Sequence, residues 1–193
     1  STSLSKIHQA FQWFMAPGGD PSKAPNVVNN SWGNANTYNL EFYDDVKAWV
    51  SAGIFPSFAA GNDGPGVQTI GSPGSFPETF AVGATDIYDQ TASFSSRGPV
   101  FWEDENGETE RLIKPDISAP GHNIYSAWPA KRNEGKYQTI SGTSMATPQV
   151  TGAIALLYQA NPNLSIDEVK ETLKEAARVE PHMGTLPNDS YGS

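Results

Sequence analysis

Residues 137–160 read YQTISGTSMATPQVTGAIALLYQA, and this stretch decides how the rest of the chain is read. Tyr137 to Ile140 predict a short strand. Met145 to Ala160 predict a helix that is apolar nearly all round, and such a helix is expected to be buried on all sides. Between them lies Ser141-Gly142-Thr143-Ser144. Gly142 stands two residues before Ser144 and Ala146 two after it, so small neighbours let the backbone turn sharply and leave the hydroxyl uncovered. The helix start adds free N–H groups and a positive dipole end, which favour a developing negative charge. A helix N-cap is the plainer role open to Ser144, since serine is a preferred cap.

Outward from this stretch, helices and strands alternate. Leu4, Ile7, Phe11, Phe14 and Met15 recur at helical spacing, and Ala16-Pro17-Gly18-Gly19-Asp20-Pro21 stops that helix. Val27-Val28 predicts a short buried strand. Leu40 to Val50 predicts a second helix, and Ile54 to Ala60 a strand closed by Gly61-Asn62-Asp63-Gly64. Phe80 to Ala84 predicts another strand. This order favours a parallel sheet with helices on its faces. Residues 100–114, VFWEDENGETERLIK, are a charged interruption and predict an exposed hairpin or loop insertion with a solvated acidic run. Downstream, Ser165-Ile166-Asp167-Glu168 is a capping box. It opens a surface helix with Ile166, Val169, Leu173, Ala176 and Ala177 inward.

Composition narrows the class. The chain has 193 residues, enough for one ordinary domain with a real core. It carries 12 Lys and Arg against 21 Asp and Glu, a formal charge of −9. That disfavours nucleic acid and anionic membranes as partners, because both need clustered cations. No apolar run approaches the roughly 20 residues of a membrane helix, and no signal-peptide core is visible. The chain has no cysteine, which excludes disulfides, a thiol nucleophile and a cysteine-based zinc site.

Two further places offer chemistry. Ala59-Ala60-Gly61-Asn62 ends a strand, where ligands of open α/β sheets bind. The Asn62 amide is suited to donate to an oxyanion, although Asn-Asp-Gly is also ordinary turn chemistry. Asn30-Ser31-Trp32-Gly33 lies just past another strand. It either presents backbone groups to an extended peptide, as in strand addition, or is a plain exit from the sheet.

Taken together, these segments resemble the catalytic domain of the subtilisin-like serine proteases, the subtilases. Ser141 to Pro148 looks like the family's nucleophile motif. Asn30 to Gly33, Ala59 to Asn62, Gly71 to Pro77, Ala81 to Ala84, Phe94 to Pro99 and Lys114 to Gly121 follow the family's order. The likeness runs from residue 1 to 193, and among subtypes it is nearest the large secreted bacillopeptidase F-type enzymes.

The resemblance implies a three-layer α/β subtilisin-like fold, mostly parallel, with helices on both faces and incomplete at both ends. It implies a serine endopeptidase acting on polypeptides and secreted from the cell. Ser144 would be the nucleophile. Its N–H and the Asn62 side chain would form the oxyanion hole. Ser31, Trp32 and Gly33, with Ala59, Ala60, Gly61 and Thr143, would bind substrate. No cofactor is needed for the chemistry. The resemblance also implies structural calcium, and the loop at Gly74, Phe76 and Thr79 resembles a weak cation site. Gln149 departs from the family's more usual histidine and is expected to act at most from beside the site.

Half the machinery is not legible in the chain. Subtilases carry Asp, His and Ser in that order. None of His8, His122 and His182 has the Gly-Thr that follows the family's histidine. The expectation is a partial catalytic domain, inert unless an upstream segment or a second chain supplies the Asp and His. Two alternatives accompany it. One is a non-catalytic protein using the subtilase fold. The other is a self-contained α/β-hydrolase with Ser144, Asp167 and His182, which do fall in that enzyme's order.

Overall fold

The computed structural model describes residues 3–104, 106–129 and 136–192. Glu105 of the 100–114 insertion, and the first two and last residues of the 1–193 domain, lie outside the described residues.

A four-stranded parallel sheet organises the molecule. Its strands are β1 (Val27–Asn30), β2 (Phe55–Ala59), β3 (Phe80–Thr85) and β6 (Ile117–Pro120), side by side in that order. Registers such as Val28 with Pro56, Phe58 with Ala81 and Gly83 with Ser118 align them. β2 and β3 are buried along their whole length, which their apolar sequences allow. The pleat sends alternate residues to opposite faces.

On one face, Phe55, Phe80, Val82 and Ile117 pack under α3 (Thr143–Ala160) and α4 (Ile166–Glu175), through Ala146, Val150, Ile154, Tyr158 and Val169. On the other face, Val28 and Phe58 pack under α1 (Leu4–Met15) and α2 (Tyr43–Ser51), through Phe11, Val46 and Trp49. The buried Trp49 Nε1–H donates to the Phe11 carbonyl at 2.8 Å, which fixes α1 against α2. Sheet and two helical layers make the three-layer α/β architecture.

Four expectations need correction. The second helix starts at Tyr43, not Leu40. Asn34, Asn36 and Asn39 each accept, through their side-chain oxygen, the backbone N–H two residues on, at 2.8, 3.0 and 3.0 Å. These turns hold residues 34–41 out of the helix.

The strand expected at residues 137–140 is present as β8 and lies outside the parallel sheet. It pairs antiparallel with β7 (Ile124–Ala127) in a separate ribbon.

The helix after Ser144 is not buried on all sides. Its sheet-facing stripe is covered, whereas Pro148, Gln149, Gly152 and Leu156 are exposed, Leu156 at 66%. The exposed face is built largely of small and aliphatic residues, so no polar stripe betrays it. Val169 of α4 is buried, and Ile166, Leu173 and Ala177, the last just past the helix end, pack against the same core, but Ala176, the C-cap, is exposed.

The 100–114 insertion is a hairpin, β4 (Val100–Glu103) with β5 (Thr109–Leu112). It is only half a solvated surface. Val100 and Trp102 are buried, and Trp102 packs on Phe76 and Tyr43. The acidic turn remains in solvent, closed by the Asp104 carboxylate. That group accepts the backbone N–H groups of Asn106 and Glu108. The bond from Glu108 leads the causes that hold the Asp104 carboxyl below its ordinary value.

Candidate active site

α3 begins where the β7–β8 ribbon ends. Gly142 is its N-cap, so Ser144 is the second residue of the helix and does not cap it. That settles the plainer role against Ser144. Its N–H belongs to the first turn, whose donors lack helical acceptors.

A proline inside the helix shapes the site. Pro148 has no N–H, so the carbonyl four residues back, that of Ser144, loses its helical donor. The Ser31 hydroxyl replaces that donor at 2.9 Å. In return the Ser144 hydroxyl donates to the Ser31 carbonyl at 3.2 Å. This reciprocal pair ties the residue after β1 to the start of α3.

Asn62 is held from the same helix start. Its Oδ1 accepts the Thr143 N–H at 2.9 Å and the Thr143 hydroxyl at 3.0 Å. A backbone N–H can only donate, so the amide oxygen must face Thr143. The amide nitrogen is left with no partner among the described residues. The preceding Gly61 has φ +112°, and a Cβ there would lie 2.7 Å from the Ser96 hydroxyl. Only glycine lets the chain turn there and deliver Asn62 to α3.

A cleft of about 280 Å³ opens at this point. Trp32, Gly33, Ala59, Ala60, Gly61, Asn62, Thr143 and Ser144 all line it. The structure therefore brings the proposed nucleophile, oxyanion donor and substrate-binding residues to one place, from three separate segments. Ser31 is the exception. It stands behind the cleft as the brace on Ser144. Thr143 lines the cleft, but its hydroxyl is committed to Asn62. Trp32 is braced by Nε1–H to Asn30 Oδ1 at 3.2 Å and by edge contacts with Phe42 and Phe58. Asn34, Ala35, Asp63 and Gly71 also line the cleft and were missed. Gly71 had a signal, since it lies in a quoted motif. A Cβ on it would meet the Asn34 carbonyl at 2.4 Å.

Comparison with known proteins agrees with this geometry. The model of the Subtilase family of S8 peptidases matches residues 1–193. The chain belongs to the subtilase family. It is 41% identical over 199 residues to bacillopeptidase F of Bacillus subtilis (strain 168), covering 96% of this chain and 13% of that protein. It is 40% identical to the serine protease AprX of the same strain, covering 90% of this chain and 43% of that one. The solved structure of sphericase superposes with a TM-score of 0.73 at 33% identity, covering 92% of this chain and 56% of that chain. The chain thus spans well under two thirds of the relatives it matches.

None of this subtilase chain's three histidines is hydrogen-bonded to Ser144. His8, a residue of α1, is bonded to Glu41 at 3.0 Å and to Asp45 of α2 at 2.6 Å. These bonds, that with Glu41 foremost, raise its pKa above the ordinary value. His122 packs near Phe94. His182 meets the Asp89 carbonyl at 3.1 Å and the Tyr191 ring. Asp167 sits in the exposed first turn of α4. The α/β-hydrolase alternative is corrected accordingly: Ser144 and His182 bond elsewhere, Asp167 is exposed in the first turn of α4, and the three form no relay. Gln149 donates to the Pro120 carbonyl at 2.6 Å and the Met145 carbonyl at 3.1 Å, tying α3 to the end of β6.

In the loop at Gly74, Phe76 and Thr79, where a weak cation site is expected, the oxygens are hydrogen-bonded within the protein. Calcium takes six to eight oxygens. Here the Thr79 hydroxyl lies 3.2 Å from the Gly74 carbonyl and 2.9 Å from those of Pro73 and Phe76. The Thr79 carbonyl accepts the Lys114 ammonium at 2.8 Å. Among the described residues no group of three or more His, Asp or Glu is arranged to hold a metal. Nor is any helix among them long and apolar enough to cross a membrane.

Proposed function

We propose that this chain carries the nucleophile and oxyanion half of a secreted serine endopeptidase. The observation that carries the reading is Ser144 in the first turn of α3, with the Asn62 amide nitrogen, unpartnered among the described residues, in the same cleft. Ser144 Oγ attacks the carbonyl carbon of a peptide bond. A bond forms between them, and the carbonyl electrons move onto oxygen. The Ser144 N–H and the Asn62 amide stabilise that oxyanion. A base takes the hydroxyl proton and returns it to the leaving amine as the carbon–nitrogen bond breaks. Water then hydrolyses the acyl ester, restoring the serine.

The base lies outside the residues that meet at the cleft. A serine hydroxyl without one is a weak nucleophile. In this reading an Asp and a His come from a preceding segment or a second chain, and residues 1–193 alone are inert. A purely structural use of the subtilase fold is the alternative. The joint presence of Ser144 and Asn62 in an open cleft weighs against it, because a fold kept only for structure needs neither.

A fluorophosphonate probe tests this. The expected result is an adduct on Ser144 in the intact protease, located by peptide mass spectrometry and absent in Ser144→Ala. The isolated 193-residue chain should label far more slowly. A protein that cleaves polypeptides with no adduct on Ser144 sinks the reading.

A further inference from the structure

Lys114 is 2% exposed, deeper than any other lysine described. Burying an ammonium is costly unless it is paired and hydrogen-bonded. Its Nζ donates to the Thr79 carbonyl at 2.8 Å and to Asp116 Oδ2 at 2.7 Å. Lys170, from α4, donates to the adjacent Glu78 carbonyl at 2.8 Å. Lys174, one turn further on, stands 4.0 Å from Asp116 Oδ1. Three ammonium groups, one from the loop before β6 and two from α4, thus converge on two successive loop carbonyls and one carboxylate.

We infer that Lys114, supported by Lys170, is the resident cation of the 72–79 loop, and that no divalent ion binds there. The carbonyls face positive charge, as they would face a metal. Here the charge is covalently part of the chain. A divalent ion would have to displace a buried ammonium and sit beside two more positive charges. That crowding is already felt within the cluster: after burial itself, the Lys114 charge is the next cause that lowers the Lys170 pKa.

The clasp has a functional address. The loop it closes starts at Gly71–Ser72, and Gly71 lines the cleft. The Ser72 carbonyl accepts the Asn34 N–H at 2.8 Å, and the Ser75 N–H returns to the Gly71 carbonyl at 3.0 Å. Asp116 Oδ2 also accepts the Ala81 N–H at 2.7 Å, so the clasp is anchored to β3. Lys114 is therefore a positioning residue for one wall of the cleft, reached through the loop.

Hydrogen exchange read by mass spectrometry tests this without depending on catalysis. The peptides to follow span residues 71–80, in calcium and in chelator. In the wild-type chain their protection should be the same in both. In Lys114→Ala the loop should exchange faster by tenfold or more in chelator. Calcium should slow it again, because the vacated position exposes the Thr79 carbonyl and the Asp116 carboxylate. Calcium-dependent protection of this loop in the wild type would overturn the inference. So would a Lys114→Ala loop as protected as the wild type. Should Lys114→Ala fail to fold, Lys114→Gln keeps a donor without the charge and should give the faster, calcium-responsive loop. If that variant also fails, the wild-type comparison still decides.

Discussion

The pairing of Ser31 with Ser144 shows how one residue's missing donor becomes another's role. Pro148 removes the N–H that Ser144 O would otherwise accept, and Ser31 Oγ replaces it. Replacing Ser31 with Ala leaves a half-buried carbonyl unpaired, which should cost about 1 kcal/mol of stability. In a Pro148→Ala background a helical N–H is restored, so the same Ser31→Ala change should cost much less. A double-mutant cycle by chemical denaturation measures this coupling. Equal costs in both backgrounds would refute the brace. Asn62 carries a separate prediction. Asn62→Leu removes the proposed oxyanion donor while the Ser144 hydroxyl stays in place. In the intact protease it should lower kcat by about 10²–10³-fold with little change in KM, a magnitude known from subtilisin, itself a member of this family. A large rise in KM at constant kcat would mean that Asn62 binds substrate only.

Among the elements, α1 and α2 are joined at the surface by His8, which bonds Glu41 and Asp45. Those carboxylates favour the imidazolium, so its pKa is higher folded than unfolded. The stabilisation is then fully present below the unfolded value, about 6.5. It is lost as pH rises through the folded value. His8→Gln should therefore lower the melting temperature at about pH 5.5, and the gap to wild type should close by about pH 9. A gap that widens with pH would contradict the assignment. The capped helix α4 shows why local chemistry reads so well from sequence. Ser165 accepts the Glu168 N–H, and the Glu168 carboxylate accepts the Ser165 N–H, as its four-residue signature requires. The exposed side of α3 was illegible for the opposite reason. Apart from Gln149 and Gln159 its exposed residues carry little polarity, and only the tertiary arrangement decides which face the sheet covers. β6 and β7 are four-residue strands with no strong periodicity, and they went unread. The start of α2 was misread because three asparagine turns override the apolar spacing.

At the scale of the molecule, the site was legible because its parts sit in ordered motifs, each at the end of a strand or the start of a helix. The cleft residues Asn34 and Asp63 were not, since their place depends on how loops from different strands meet. The Lys114 clasp was also hidden. Its motif is visible in the sequence, but the burial that gives the ammonium its role exists only after folding. The fold makes one further demand. The two main cores lie on opposite faces of one sheet and share its strands: Phe55 points to one and Phe58 to the other, both fully buried within a single five-residue strand. Neither face can open without losing the strand that supports its counterpart. Unfolding should then be a single transition. Phe55→Ala and Phe58→Ala should each destabilise by roughly 3–5 kcal/mol. Each should shift near-ultraviolet and far-ultraviolet circular dichroism midpoints together. If Phe58→Ala lowered the midpoint for the tryptophans around α1 and α2 while the far-ultraviolet signal melted later, the layers would be separate folding units and the shared-sheet argument would fail.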